Sequence, residues 1–78
     1  MTRVSFDLQL KALQERLVSL GLMVAHAQEQ AVRALAERDG QLAQELIADD
    51  QNINRAQHEI EEQCLLLIAS QQPVARDL

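Results

Sequence analysis

The side chains best suited to chemistry in this sequence are carboxylates in its second half: Glu45 and Asp49 stand four residues apart, with Asp50 adjacent. On a helix that spacing places Glu45 and Asp49 on one face, where paired carboxylates could hold a hard cation through oxygen ligands. The same spacing also builds an ordinary solvated helix face. Asp50 is the more unusual of the three, because it stands three after Ile47 and three before Ile53 and so interrupts an apolar line. It reads either as a boundary or register residue that meets a partner side chain or water, or as a carboxylate aimed at an ion in a bundle, with Asn54 as a supporting hydrogen-bonding group.

Other groups offer less. His58 and Glu62 are four apart, and His26 and Glu29 three apart, but the di-iron helical bundles need Glu-x-x-His in that order on two helices. Here the order is reversed, and Arg55 stands three before His58, so both histidines read as surface residues. Cys64 falls between Ile60 and Leu67 with no basic neighbour, the setting of a small core side chain rather than a lowered-pKa nucleophile. The sequence holds neither a Ser/His/Asp arrangement with supporting context nor a Gly-rich phosphate loop. Its chemistry-bearing residues argue for no enzyme.

The elements that position these groups are helical. From Phe6 the apolar residues step through Leu10, Leu13, Leu17, Leu20, Val24, Ala27, Ala31 and Ala34, alternating four and three, which is a seven-residue repeat held over about four heptads. Leu8, Val18, Met23, Val32 and Leu35 widen that stripe, as in a helix that touches more than one neighbour. Ser5 is the expected N-cap, with Asp7 favourable toward the helix dipole. The pattern breaks at Glu37-Arg38-Asp39-Gly40, where glycine permits turn conformations and Asp39 can cap the next element.

A second stripe runs through Leu42, Leu46, Ile53, Ile60, Cys64 and Leu67, widened by Ile47, Leu65, Leu66 and Ile68. Pro73 disfavours helical geometry at Gln72 and places the stop near Gln71. The reading is all-α: helices over about 5–38 and 40–71, a turn at 39–40, and the start of a truncated third helix at 73–78. Two helices of matched length with a short connection predict an antiparallel hairpin. Such a hairpin cannot cover its own wide stripes, so a third helix or a second copy must fill its open side. A four-helix bundle made by dimerisation would have Leu13, Leu17, Leu20, Ile53, Ile60 and Leu67 as its interface. Gly21, mid-helix, costs about 1 kcal/mol relative to alanine, and close approach of a neighbouring helix would offset that.

Composition bounds the function classes. At 78 residues, 47 % apolar and 24 % charged, with two Gly and one Pro, the chain allows one small helical domain and lacks the bias of disorder. Residues 1–38 carry five cations against four anions, whereas residues 39–78 carry two against eight. That acidic half repels phosphate backbones, so no nucleic acid is expected, while basic protein surfaces remain suitable. A single cysteine gives no support to an oxidising compartment, the opening Met1-Thr2-Arg3-Val4-Ser5 shows no apolar h-region, and no apolar run reaches membrane length. The expected location is the cytoplasm, without membrane insertion.

Several ordered segments carry a resemblance. Leu20-Gly21-Leu22-Met23-Val24, Ala34-Leu35 leading to Asp39-x-x-Leu42-Ala43, Asp50-x-x-Ile53-Asn54 and above all Gln71-Gln72-Pro73-Val74-Ala75-x-Asp77-Leu78 resemble the PhoU family of phosphate-uptake regulators over residues 6–78. The resemblance implies tandem three-helix bundles, of which this chain looks like the first two helices of one repeat, with residues 73–78 as the corner into the third and Asp77 as its cap. It implies a cytoplasmic, non-catalytic negative regulator that links a phosphate ABC transporter to a membrane sensor histidine kinase. Full-length members bind metal ions through a Glu-x-x-x-Asp motif on the third helix. That motif is absent here, and Glu45 to Asp49 matches its spacing only, on a different helix, so no cofactor is carried over. Two other readings stand beside this one: a stand-alone helical dimerisation module, and a metal-binding bundle using Glu45, Asp49 and Asp50.

Overall fold

The computed structural model of the chain describes residues 3–71. Over that span there are two long helices, α1 (Arg3–Glu37) and α2 (Gly40–Gln71), packed antiparallel as a hairpin. At 35 and 32 residues they run about 52 and 48 Å at 1.5 Å per residue. The corner expected over 73–78 lies outside the described residues. Because α1 starts at Arg3, Ser5 falls inside its first turn instead of capping it.

The turn is set by an arginine and not by the expected glycine. Arg38 takes the left-handed conformation, φ 55°, and no glycine has positive φ. Its amide donates to the Leu35 carbonyl at 3.3 Å, and the Asp39 amide donates to the Ala34 carbonyl at 2.9 Å. Those two bonds form a Schellman closure with Arg38 where glycine usually stands. Asp39 then caps α2: its Oδ1 accepts from the Leu42 amide at 3.0 Å, and its carbonyl accepts from the Ala43 amide at 3.1 Å. The side-chain bond satisfies one of the orphan donors of a helix start. Gly40 is simply the first residue of the helix.

Where the helices meet, Leu13, Ile60 and Leu67 form the buried cluster, with Phe6 and Leu20 packed against it. Ala34 is buried near the turn, and with those three it completes the buried hydrophobics among the described residues. Two neighbouring seam positions are polar. Arg16 donates from Nη2 to Glu59 Oε2 at 3.2 Å and from Nη1 to Gln63 Oε1, tying α1 to α2 along one edge. The heptad expectation is therefore one residue off at two places. Leu17 is 57 % exposed and Cys64 is exposed, because Arg16 and Gln63 occupy the seam edge in their stead. A long guanidinium stem can lie along apolar surface while its head stays wet.

One contact carries much of this small core. Ile60, 7 % exposed, has few neighbours that could collapse into its place in a two-helix seam, so Ile60→Ala is expected to cost about 2–4 kcal/mol. Leu65, 66 % exposed, is the matched control away from the seam, and Leu65→Ala should stay within about 0.5 kcal/mol. Urea titrations followed by helical circular dichroism read both, and equal losses would show that Ile60 is not in the seam.

Candidate functional site

The two edges of the hairpin seam differ in chemistry. One edge is polar, held by Arg16, Glu59 and Gln63. On the other edge the helices leave an open groove of about 760 Å³ at the turn end. Val24, Ala27, Ala31 and Ala34 line it from α1, and Ala43, Leu46, Ile47 and Ile53 from α2. Arg38, Asp39 and Asp50 supply its charged rim. Small residues on α1 opposite branched ones on α2 leave a channel of side-chain depth, the shape into which an amphipathic helix lays its apolar face.

Heptad spacing extends this edge beyond the groove itself. Leu10 and Leu17 lie two and one heptads before Val24, and both are exposed. Cys64 lies two heptads after Asp50, with exposed Ile68 beside the same edge. Leu17 and Cys64, expected inside the seam, thus belong to the open edge. Gly21 lies one heptad before Gln28, which lines the groove. A methyl group at Gly21 would meet nothing within 4 Å, so the neighbour anticipated from the sequence is not supplied by α2.

The carboxylates do not gather as a metal centre would require. Glu45, Asp49 and Asp50 are all exposed, and among the described residues no three His, Cys, Asp or Glu side chains converge to hold an ion. Asp50 accepts a hydrogen bond from Asn54 Nδ2 at 3.4 Å, so the residues expected as ligand and support satisfy each other at the groove rim. His58 approaches Glu61 at 3.7 Å and not Glu62, and both His58 and Glu61 are exposed. What sequence reasoning missed is Arg16 and Gln63 as the polar tie. Their signal was an Arg on α1 and a Glu and Gln four apart on α2, readable only once the antiparallel register was known.

No helix among the described residues is long and apolar enough to cross a membrane. No solved structure matches the chain. The PhoU domain family model matches residues 17–78. Among curated relatives, the "Phosphate-specific transport system accessory protein PhoU homolog" of Streptococcus pneumoniae serotype 4 is 40 % identical over 76 residues, 97 % of this chain and 35 % of the relative. The homolog of Rhizobium meliloti is 38 % identical over 74 residues, covering 95 % and 31 %. The PhoU protein of Escherichia coli K12 is 33 % identical over 73 residues, covering 94 % and 30 %. The chain spans about a third of the length of these relatives. With the family model covering most of its residues and an all-helical hairpin behind them, the chain belongs to the PhoU family.

Proposed function

We infer that this chain is part of a PhoU-type negative regulator of phosphate uptake and phosphate-starvation signalling, working by protein contacts without catalysis. The observation that carries the reading is the one-sided apolar groove on a hairpin whose sequence matches the PhoU domain. The relatives from Streptococcus pneumoniae and Escherichia coli are called accessory proteins of the phosphate-specific transport system, and an accessory protein needs surfaces for other proteins rather than a reacting centre.

On this reading the groove takes a further helix. The third helix of the family's repeat is the first occupant, and a hairpin from a second copy is the other. Of the six residues expected at such a pairing, Leu13, Ile60 and Leu67 are already buried in the hairpin's own seam, while Leu17 is left for the occupant. The acidic polar edge of α2, where exposed Glu45 and Asp49 stand two heptads before Glu59 and Gln63, suits basic patches on a phosphate ABC transporter or a sensor histidine kinase at the cytoplasmic side of the membrane.

Deleting the coding region in the source organism is expected to raise a phosphate-starvation reporter several-fold in phosphate-rich medium. An unchanged reporter would sink the regulatory reading and leave the stand-alone dimerisation module. Gly21→Ala at the chromosomal locus probes the groove separately. In the isolated hairpin it should add about 0.5–1 kcal/mol of stability, since alanine is the better helix former and the site is empty. In the cell it should raise the reporter, because the new methyl group meets the groove's occupant. Full repression by the variant would place that occupant away from Gly21.

A further inference from the structure

Arg38 stands out by its backbone and by what its side chain lacks. A left-handed residue after a helix is ordinarily glycine, because a Cβ there crowds the following carbonyl. Arg38 nevertheless holds φ 55°, two positions before a glycine that makes no use of its freedom. Backbone strain of this kind clusters at functional sites. The Arg38 side chain lines the turn end of the groove. Arg16 and Arg33 each hold a carboxylate, but among the described residues the Arg38 guanidinium makes neither an ion pair nor a hydrogen bond. Asp39 beside it is committed to the Leu42 amide, at the positive end of α2.

Charge is graded along the groove. Asp50 stands on the rim, about 15 Å down α2 from the turn at 1.5 Å per residue, and exposed Glu61, two heptads after Ile47, continues the same edge. From α1 the lining is uncharged Val24, Gln28 and Ala31. The groove is thus cationic at the turn and anionic away from it. A helix carries partial positive charge at its N-terminus and partial negative charge at its C-terminus, so a helix in this groove gains by ending at Arg38 and loses by starting there.

We propose that Arg38 is the end clamp of the groove: its guanidinium receives the C-terminal carbonyls and a last-turn carboxylate of one amphipathic helix that runs parallel to α1. This rests on the reading of the groove as a helix-docking site and adds the occupant's direction and the charge at its end. A planar fork of five N–H donors can hold several oxygens at once, which suits the frayed end of a helix better than a single ammonium does. The left-handed turn is retained with arginine because glycine, the better residue for the backbone, has nothing to offer the occupant.

The test is fluorescence anisotropy of dye-labelled amphipathic peptides titrated with the full chain. Two peptides of about 20 residues, some 30 Å of helix, differ only in carrying Glu or Gln in the last turn, and a third carries the Glu in its first turn. The last-turn Glu peptide should bind about three- to fivefold more tightly than either of the others at low salt. Glutamate in the last turn opposes a helix's own dipole, so this preference cannot come from peptide helicity. Arg38→Lys should keep part of the preference, and Arg38→Gly should erase it. In urea titrations the same Arg38→Gly should raise the folding constant of the hairpin about fivefold, since it removes the left-handed cost, so a damaged fold cannot explain the loss. Peptides that bind in the groove, as shown by loss of binding in Ala31→Glu, but without a last-turn preference would overturn the clamp and leave the docking site standing. Preference for the first-turn Glu would overturn it by reversing the occupant. Absence of binding by all three peptides would remove the docking site and the clamp together.

Discussion

Two helices can bury only one line of contact between them, and nearly everything about this hairpin comes from having more apolar surface than that line can hold. The seam buries Leu13, Ala34, Ile60 and Leu67, and the fold extends 60 × 18 × 14 Å, little more than one helix diameter of about 10–12 Å in its thinnest direction. A body so thin has no interior in which to hide a wide stripe. Residual apolar surface is therefore a structural given, and the placement of polar residues decides where it ends up.

Arg16 makes that decision. By reaching across to Glu59 and Gln63 it seals one edge of the seam with groups that favour water. The exposed ion pair itself contributes little to stability, about 0.2–1 kcal/mol. Its larger effect is geometric, since no apolar helix gains by docking over a guanidinium and two polar partners. The opposite edge has no comparable tie near the turn, where alanines of α1 face Leu46 and Ile47. An added helix is thereby directed to one side of the hairpin.

The heptad steps and the Asp39-Gly40 break are enough to read two antiparallel helices from the residues alone, and the surplus of leucines implies an open side. Two features are not legible in that way. Leu17 and Cys64 fit the repeat as well as Arg16 and Gln63 fit the edge beside it, and an apolar residue at a seam edge looks the same in sequence whether it faces its own hairpin or a visitor. Glycine is the natural choice for a left-handed residue, yet the Schellman bonds from Arg38 and Asp39 set the turn before Gly40 is reached. Asp50 shows as an anomaly in an apolar line, but its role at the groove rim with Asn54 depends on side-chain geometry that spacing alone leaves open.

Cys64 offers a direct reading of the central claim, that the open edge of the hairpin is covered in the working protein. It is the single cysteine, exposed in the hairpin and placed on the open edge, so its alkylation rate reports whether that edge is occupied. Maleimide labelling in intact cells that express the protein, quantified by mass spectrometry against a urea-unfolded sample, should show slow reaction in the native protein and rapid reaction once unfolded. Equal rates in the two samples would mean that nothing covers the open edge, and the account of this hairpin as a docking element would fail.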